Sequence, residues 1–120
     1  MKRDMDLIRK ILLYIEENIY PHNPGEVKIE GSSQYEVAYH LKLLDDAGLI
    51  FANDVSDSSG PDFIVLGLTW QGHEFIEAAR DNKRWEKAKT TILKKVGSLS
   101  FSLLNEFLVK LMTSQLGLPS

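Results

Sequence analysis

The residues "SSQYEVAYHLKLLDDAGLI", 32–50, specify both ends of one helix and so constrain everything placed around it. Ser33 and Glu36 have the S-x-x-E spacing in which each side chain can satisfy a free backbone N–H at a helix start. Val37, Leu41 and Leu44 then recur at helical spacing, with Ala38 beside them, and form one apolar face. Gly48 follows, where a residue tolerant of positive φ fits most easily, and Leu49 can fold back as the usual apolar contact. The spacing predicts a single helix over 34–47 that runs directly into an apolar, strand-like segment.

The rest of the chain supplies partners for that helix. Ile8, Ile11, Leu12, Ile15 and Ile19 make an apolar stripe, which predicts a first helix over 4–19 with Asp4 as its N-cap. Pro21 and Pro24 cannot continue it. "EVKIE", 26–30, alternates polar and apolar residues and predicts a short strand. "LIFANDV" and "DFIVLGLT" flank the polar run "SDSSGP" and predict a hairpin. Thr69 can cap a helix over about 70–82. A helix over about 84–96 carries Trp85, Ala88, Ile92 and Val96 on one stripe and ends at Gly97. The last helix, about 101–116, is apolar over more than half its circumference. With 120 residues and 43% hydrophobic content, the chain can build a core but not two large domains.

"HLKLLDDAGLI", 40–50, resembles the recognition-helix end of arsenical-type and related bacterial winged-helix repressors, which read roughly HLKxLxxAGLV. "LTWQGHEFI", 68–76, resembles the passage from wing to following helix, LTxxGxxxL, in such regulators. Over nearly the whole chain, with "KRDMDLIRKIL", "YHLKLLDDAGLI" and "LTWQGHEFI" in this order, the sequence is similar to a small uncharacterised family of bacterial and phage proteins. The resemblance implies an α+β, winged helix-turn-helix-like domain over 1–82. Two further helices over 83–120 would pack on it or mediate dimerisation. No established activity comes with the family. Only residues 31–33 separate the short strand from the recognition-type helix, so the usual preceding helix is expected to be absent or reduced to a turn. The metal-sensing role of the repressors does not carry over, because the chain has no cysteine and its three histidines are scattered.

Charge decides how such a scaffold could meet DNA. The outward face of helix 34–47 offers Gln34, Tyr35, Tyr39 and Lys42 as candidate DNA contacts. Glu36, Asp45 and Asp46 oppose phosphate there, and no lysine or arginine lies between residues 43 and 79. Residues 1–79 hold 6 basic and 14 acidic residues, a net −8, whereas 80–120 hold 8 basic and 3 acidic, a net +5. Phosphate neutralisation supplies most non-specific affinity for DNA. Arg80, Lys83, Arg84, Lys87 and Lys94 are therefore the candidate contacts to phosphate or to an acidic partner, against the plainer expectation of a solvated helix face. Phe101, Leu104, Phe107, Leu108 and Leu111 are the candidate dimer contacts, the alternative being a helix enclosed within the monomer.

These features point to a regulatory protein that binds double-stranded DNA, of phage or mobile-element type by resemblance. The alternative is an adaptor for protein partners that kept the scaffold and lost groove recognition. Catalysis is not expected: His22, His40 and His73 lie 18 and 33 residues apart, without metal-ligand spacing, and no nucleophile elbow or phosphate loop occurs. His40 is expected to pack near the hairpin, and Trp70 and Trp85 to anchor a core or an interface. No metal and no cofactor is expected. The charged start of the first helix does not read as a signal peptide, and no segment is long and apolar enough to span a membrane. A cytoplasmic location is the corresponding expectation.

Overall fold

A computed structural model describes residues 1–117. It contains helices α1 (Met5–Asn18) and α2 (Gln34–Asp46), strands β1 (Ile50–Asp54) and β2 (Phe63–Leu68), and helices α3 (Trp70–Ala79), α4 (Asn82–Val96) and α5 (Phe101–Gln115). The fold is α+β. The chain divides into two compact units, one over Met1–Glu74 and one from Phe75 onward.

In the first unit, α1 starts where Asp4 accepts hydrogen bonds from the backbone N–H groups of Asp6 and Leu7. The stripe Ile8, Ile11, Leu12 and Ile15 is buried and packs with α2 and β2. Each such side chain contributes about 1.5–3 kcal/mol on leaving water. Helix α2 starts at Ser33, whose Oγ accepts from the Glu36 N–H at 3.1 Å. The reciprocal bond to the Glu36 carboxylate is not made among the described residues, so the capping box is half formed. Ser33→Ala is expected to cost about 1 kcal/mol in a urea melt, and an unchanged melt would mean the helix does not depend on this cap. Val37, Ala38, Leu41 and Leu44 face inward. Gly48 takes φ 75°, as the sequence predicts, and Leu49 N–H donates to the Leu44 carbonyl.

Strands β1 and β2 pair antiparallel from Ile50↔Leu68 to Asp54↔Phe63, with an irregularity between Phe51 and Ala52. The tip is closed by mutual backbone bonds between Asp57 and Gly60, which places Ser58–Gly60 in the turn as expected. Val65 and Phe63 turn toward the core.

The expected strand over 26–30 does not form. Only Gly25 bridges to Val65, and the chain then leaves the sheet for the Ile29–Ser32 turn, where Gly31 has φ 86°. The Asp62 carboxylate and the Gln34 amide instead bond the Phe63 N–H and the Pro61 carbonyl, the edge groups such a strand would use. A single turn, and no helix, precedes α2, in line with the spacing.

In the second unit, α3 ends at Ala79, short of the expected 82, because Asp81 adopts an extended backbone and caps α4 by accepting from Arg84 N–H. Phe75 stacks edge-on to Trp85 at 6.3 Å and lies tilted over Phe101 at 4.6 Å. Trp85, Ala88, Ile92, Leu104 and Leu108 are buried. Gly97 ends α4 with φ 86°, and Ser100 caps α5.

Candidate nucleic-acid interface

The outer face of α2 lies beside the hairpin. Tyr35 is 60% exposed. Tyr39 is half-buried, with its ring edge-on to His40 at 5.3 Å. A shallow depression of about 380 Å³ is bordered by Met1, Tyr35, Tyr39, Lys42, Asp54 and Ser56. The sequence carried no signal that the chain start would reach this face, since it depends on how α1 crosses α2.

Two of the expected DNA contacts are already engaged. Gln34 Nε2 donates to the Pro61 carbonyl at 2.7 Å, tying the first turn of α2 to the base of the hairpin loop. Lys42 Nζ donates to Asp46 Oδ1 at 2.8 Å on the exposed helix surface. That hydrogen bond, and the charge of Asp46, hold the ammonium pKa above its usual value. An exposed pair of this kind is worth little and opens readily. Hydrogen bonds from Ser56 and from Ser59 hold the Asp54 and Asp57 carboxyls below the usual range.

His40 is completely buried between α2 and the start of α1. Nε2 accepts from Asp4 N–H at 2.9 Å, which requires the proton on Nδ1, and Nδ1 faces the Glu36 carbonyl at 2.7 Å. The arrangement has a simple cause: a neutral imidazole has one donor and one acceptor, and the N-cap of α1 presents a donor.

The basic residues of the second unit divide into two sets. Arg80 pairs with Glu77 at 3.1 Å, and Lys89 pairs with Glu86 while lying 5.9 Å from the Trp85 ring centroid. Arg84 closes the end of α3: Nε donates to the Ala78 carbonyl at 2.8 Å, Nη2 to the Glu77 carbonyl at 3.3 Å, and Nη1 to Gln115 Oε1 at 2.8 Å. Its half-buried guanidinium is engaged by three acceptors, which a phosphate would have to displace. Lys83, Lys87 and Lys94 are exposed along α4.

The expected dimer contacts also divide. Leu104 and Leu108 are fully buried within the chain and leave nothing for a partner to cover. Phe101, Phe107 and Leu111 are half-buried. A groove of about 240 Å³ between α4 and α5 is lined by Ile92, Val96, Leu103 and Phe107, with Lys95 and Lys110 at its rim. Trp85 belongs to the core, while Trp70 is 77% exposed. Among the described residues no three His, Cys, Asp or Glu side chains gather as a metal site, and no helix is long and apolar enough to cross a membrane.

Among the described residues, five helices and one antiparallel hairpin, with the outer face of α2 beside the hairpin, define an α+β protein. The chain belongs to the family described as "Hypothetical protein (DUF2513)", whose model matches residues 2–98 and so stops before α5. An "Uncharacterized protein" of Haemophilus influenzae is 39% identical over 109 residues, covering 88% of this chain and 91% of its own length. No solved structure matches.

Proposed function

We propose that this chain is a winged-helix regulatory protein that binds double-stranded DNA, with α2 as the groove-facing helix and the β1–β2 hairpin as the wing. The carrying observation is that α2, capped at both ends and directly preceding the hairpin, leaves Tyr35 and Lys42 exposed and Tyr39 half-exposed between them. Lys42 would exchange Asp46 for phosphate or a guanine edge. The exposed Lys83, Lys87 and Lys94 would hold further phosphates. Dimerisation belongs to the same reading, with the Val96–Leu103–Phe107 groove as its contact, and light scattering at micromolar concentration reads it directly.

A second reading is favoured by a specific observation. Gln34 is bonded to Pro61, and Asp45, Asp46, Asp54 and Asp57 surround the α2 face with negative charge. A protein-binding adaptor would tolerate that face better than a DNA reader would.

Titrating the protein onto random duplex DNA across a salt series separates the readings. Each lost phosphate contact lowers the logarithmic salt slope by about 0.9. Lys83→Gln/Lys87→Gln/Lys94→Gln is expected to remove about two to three units of slope, and Lys42→Gln about one or less. Arg84 is left intact because it closes α3. Loss of all binding through Lys42→Gln alone would place every cation contact on α2. Absence of binding by the parent at low salt would leave the adaptor reading, with the α4 lysines as the site for an acidic protein.

A further inference from the structure

Gly25–Ile29 and the free edge of β2 begin a ladder and then part. Gly25 and Val65 exchange both backbone bonds, Gly25 N–H to Val65 O at 3.1 Å and Val65 N–H to Gly25 O at 2.8 Å. In an antiparallel pair the next such exchanges fall two residues further along each strand. They would join Val27 with Phe63, and then Ile29 with Pro61. Neither forms. Side chains occupy those same two positions instead: Asp62 Oδ1 accepts the Phe63 N–H at 2.9 Å, and Gln34 Nε2 donates to the Pro61 carbonyl at 2.7 Å. Among the described residues the backbone groups of Val27 and Lys28 make no hydrogen bond.

The segment is nevertheless arranged as a strand. Val27 is buried, Lys28 is exposed and Ile29 is half-buried. A cleft of about 330 Å³ lies here, lined by Val27 and Ile29, by Pro61 and Phe63, and by Val37 and Leu41 of α2.

The geometry points to a strap, Gly25–Ile29, that closes onto β2 and turns the hairpin into a three-stranded sheet. On closure Val27 N–H donates to Phe63 O, Phe63 N–H to Val27 O, and Ile29 N–H to Pro61 O. Pro61 has no N–H, so the ladder stops there and the chain can still turn to the cap at Ser33. Three backbone bonds replace two side-chain bonds, so neither state dominates through hydrogen bonding alone. Closure fills the cleft and frees the Gln34 amide at the first turn of α2. The use of that amide in base readout rests on the DNA reading above, whereas the strap itself does not.

The chain has no cysteine, so an introduced pair is the sole thiol pair. Lys28 and Asp62 stand opposite in the closed register, where the Cα separation is about 4.5 Å and a disulfide can form. Lys28→Cys/Asp62→Cys is expected to cross-link with diamide in the folded protein, and Lys28→Cys/Ser58→Cys, four positions out of register, is not. Independently, Gln34→Ala is expected to slow amide exchange at Val27 and Ile29 by about fivefold to tenfold, the effect of removing one competing hydrogen bond. No cross-link in the first pair, equal cross-linking in both, or unchanged exchange at Val27 and Ile29 would each overturn the strap. All the changed positions are exposed or half-buried, so the fold tolerates the changes. None of these measurements involves DNA, so a failed DNA reading leaves them standing.

Discussion

Replacing Gly72 with alanine is expected to remove about 3 kcal/mol or more of stability in a urea titration. A Cβ at this position would overlap the Leu49 carbonyl oxygen and lie 3.2 Å from the Leu49 carbonyl carbon. The obstacle is backbone, and that backbone is already fixed. Thr69 N–H donates to Leu49 O at 3.1 Å, and Thr69 Oγ1 donates to Gly48 O at 2.6 Å while accepting from Gly72 N–H at 3.1 Å. The end of α2 and the start of α3 are thus clamped, and added volume has no way to relax. Gly25→Ala is the control: nothing lies within 4 Å of its Cβ position, and the change should stay within about 0.5 kcal/mol. Equal melts for the two variants would show that the clamp yields.

His40→Ala is expected to cost about 3 kcal/mol, combining a cavity in a fully buried site with an orphaned N–H at Asp4. The thermal midpoint should fall by about 10 °C or more. A fall of under about 1 kcal/mol would mean that water replaces the ring without penalty. The α1 N-cap residue then has two attachments. Its side chain begins the helix, and its backbone N–H is held by a residue 36 positions away.

The helices were legible because their signals are local. Asp4, Ser33, Gly48 and Gly97 act on backbone groups within a few residues, and the structure places them as their spacing predicts. The strand at 26–30 misled because alternation describes which side is apolar, and the segment keeps that alternation without pairing. For another reason, His40, Gln34 and Arg84 had partners that were not legible. Each is committed to a partner distant in sequence, at Asp4, Pro61 and Gln115, and one-dimensional charge counting treats such side chains as available. The motif glycine in "LTWQGHEFI" was visible as a letter, but its cause, the Leu49 carbonyl, lies in the other resembled motif.

The three bonds of Arg84 also set an order of local opening. Release of the last turn of α5 removes only the Gln115 partner, 31 positions away, and leaves the Glu77 and Ala78 carbonyls held. Loss of the guanidinium, by contrast, frees both helix ends together. The C-terminal turn can therefore fray as an independent, low-energy excursion, whereas the corner between α3 and α4 opens only in a larger cooperative event. Native-state hydrogen exchange would separate the two, with amides near Gln115 exchanging well ahead of those near Trp85.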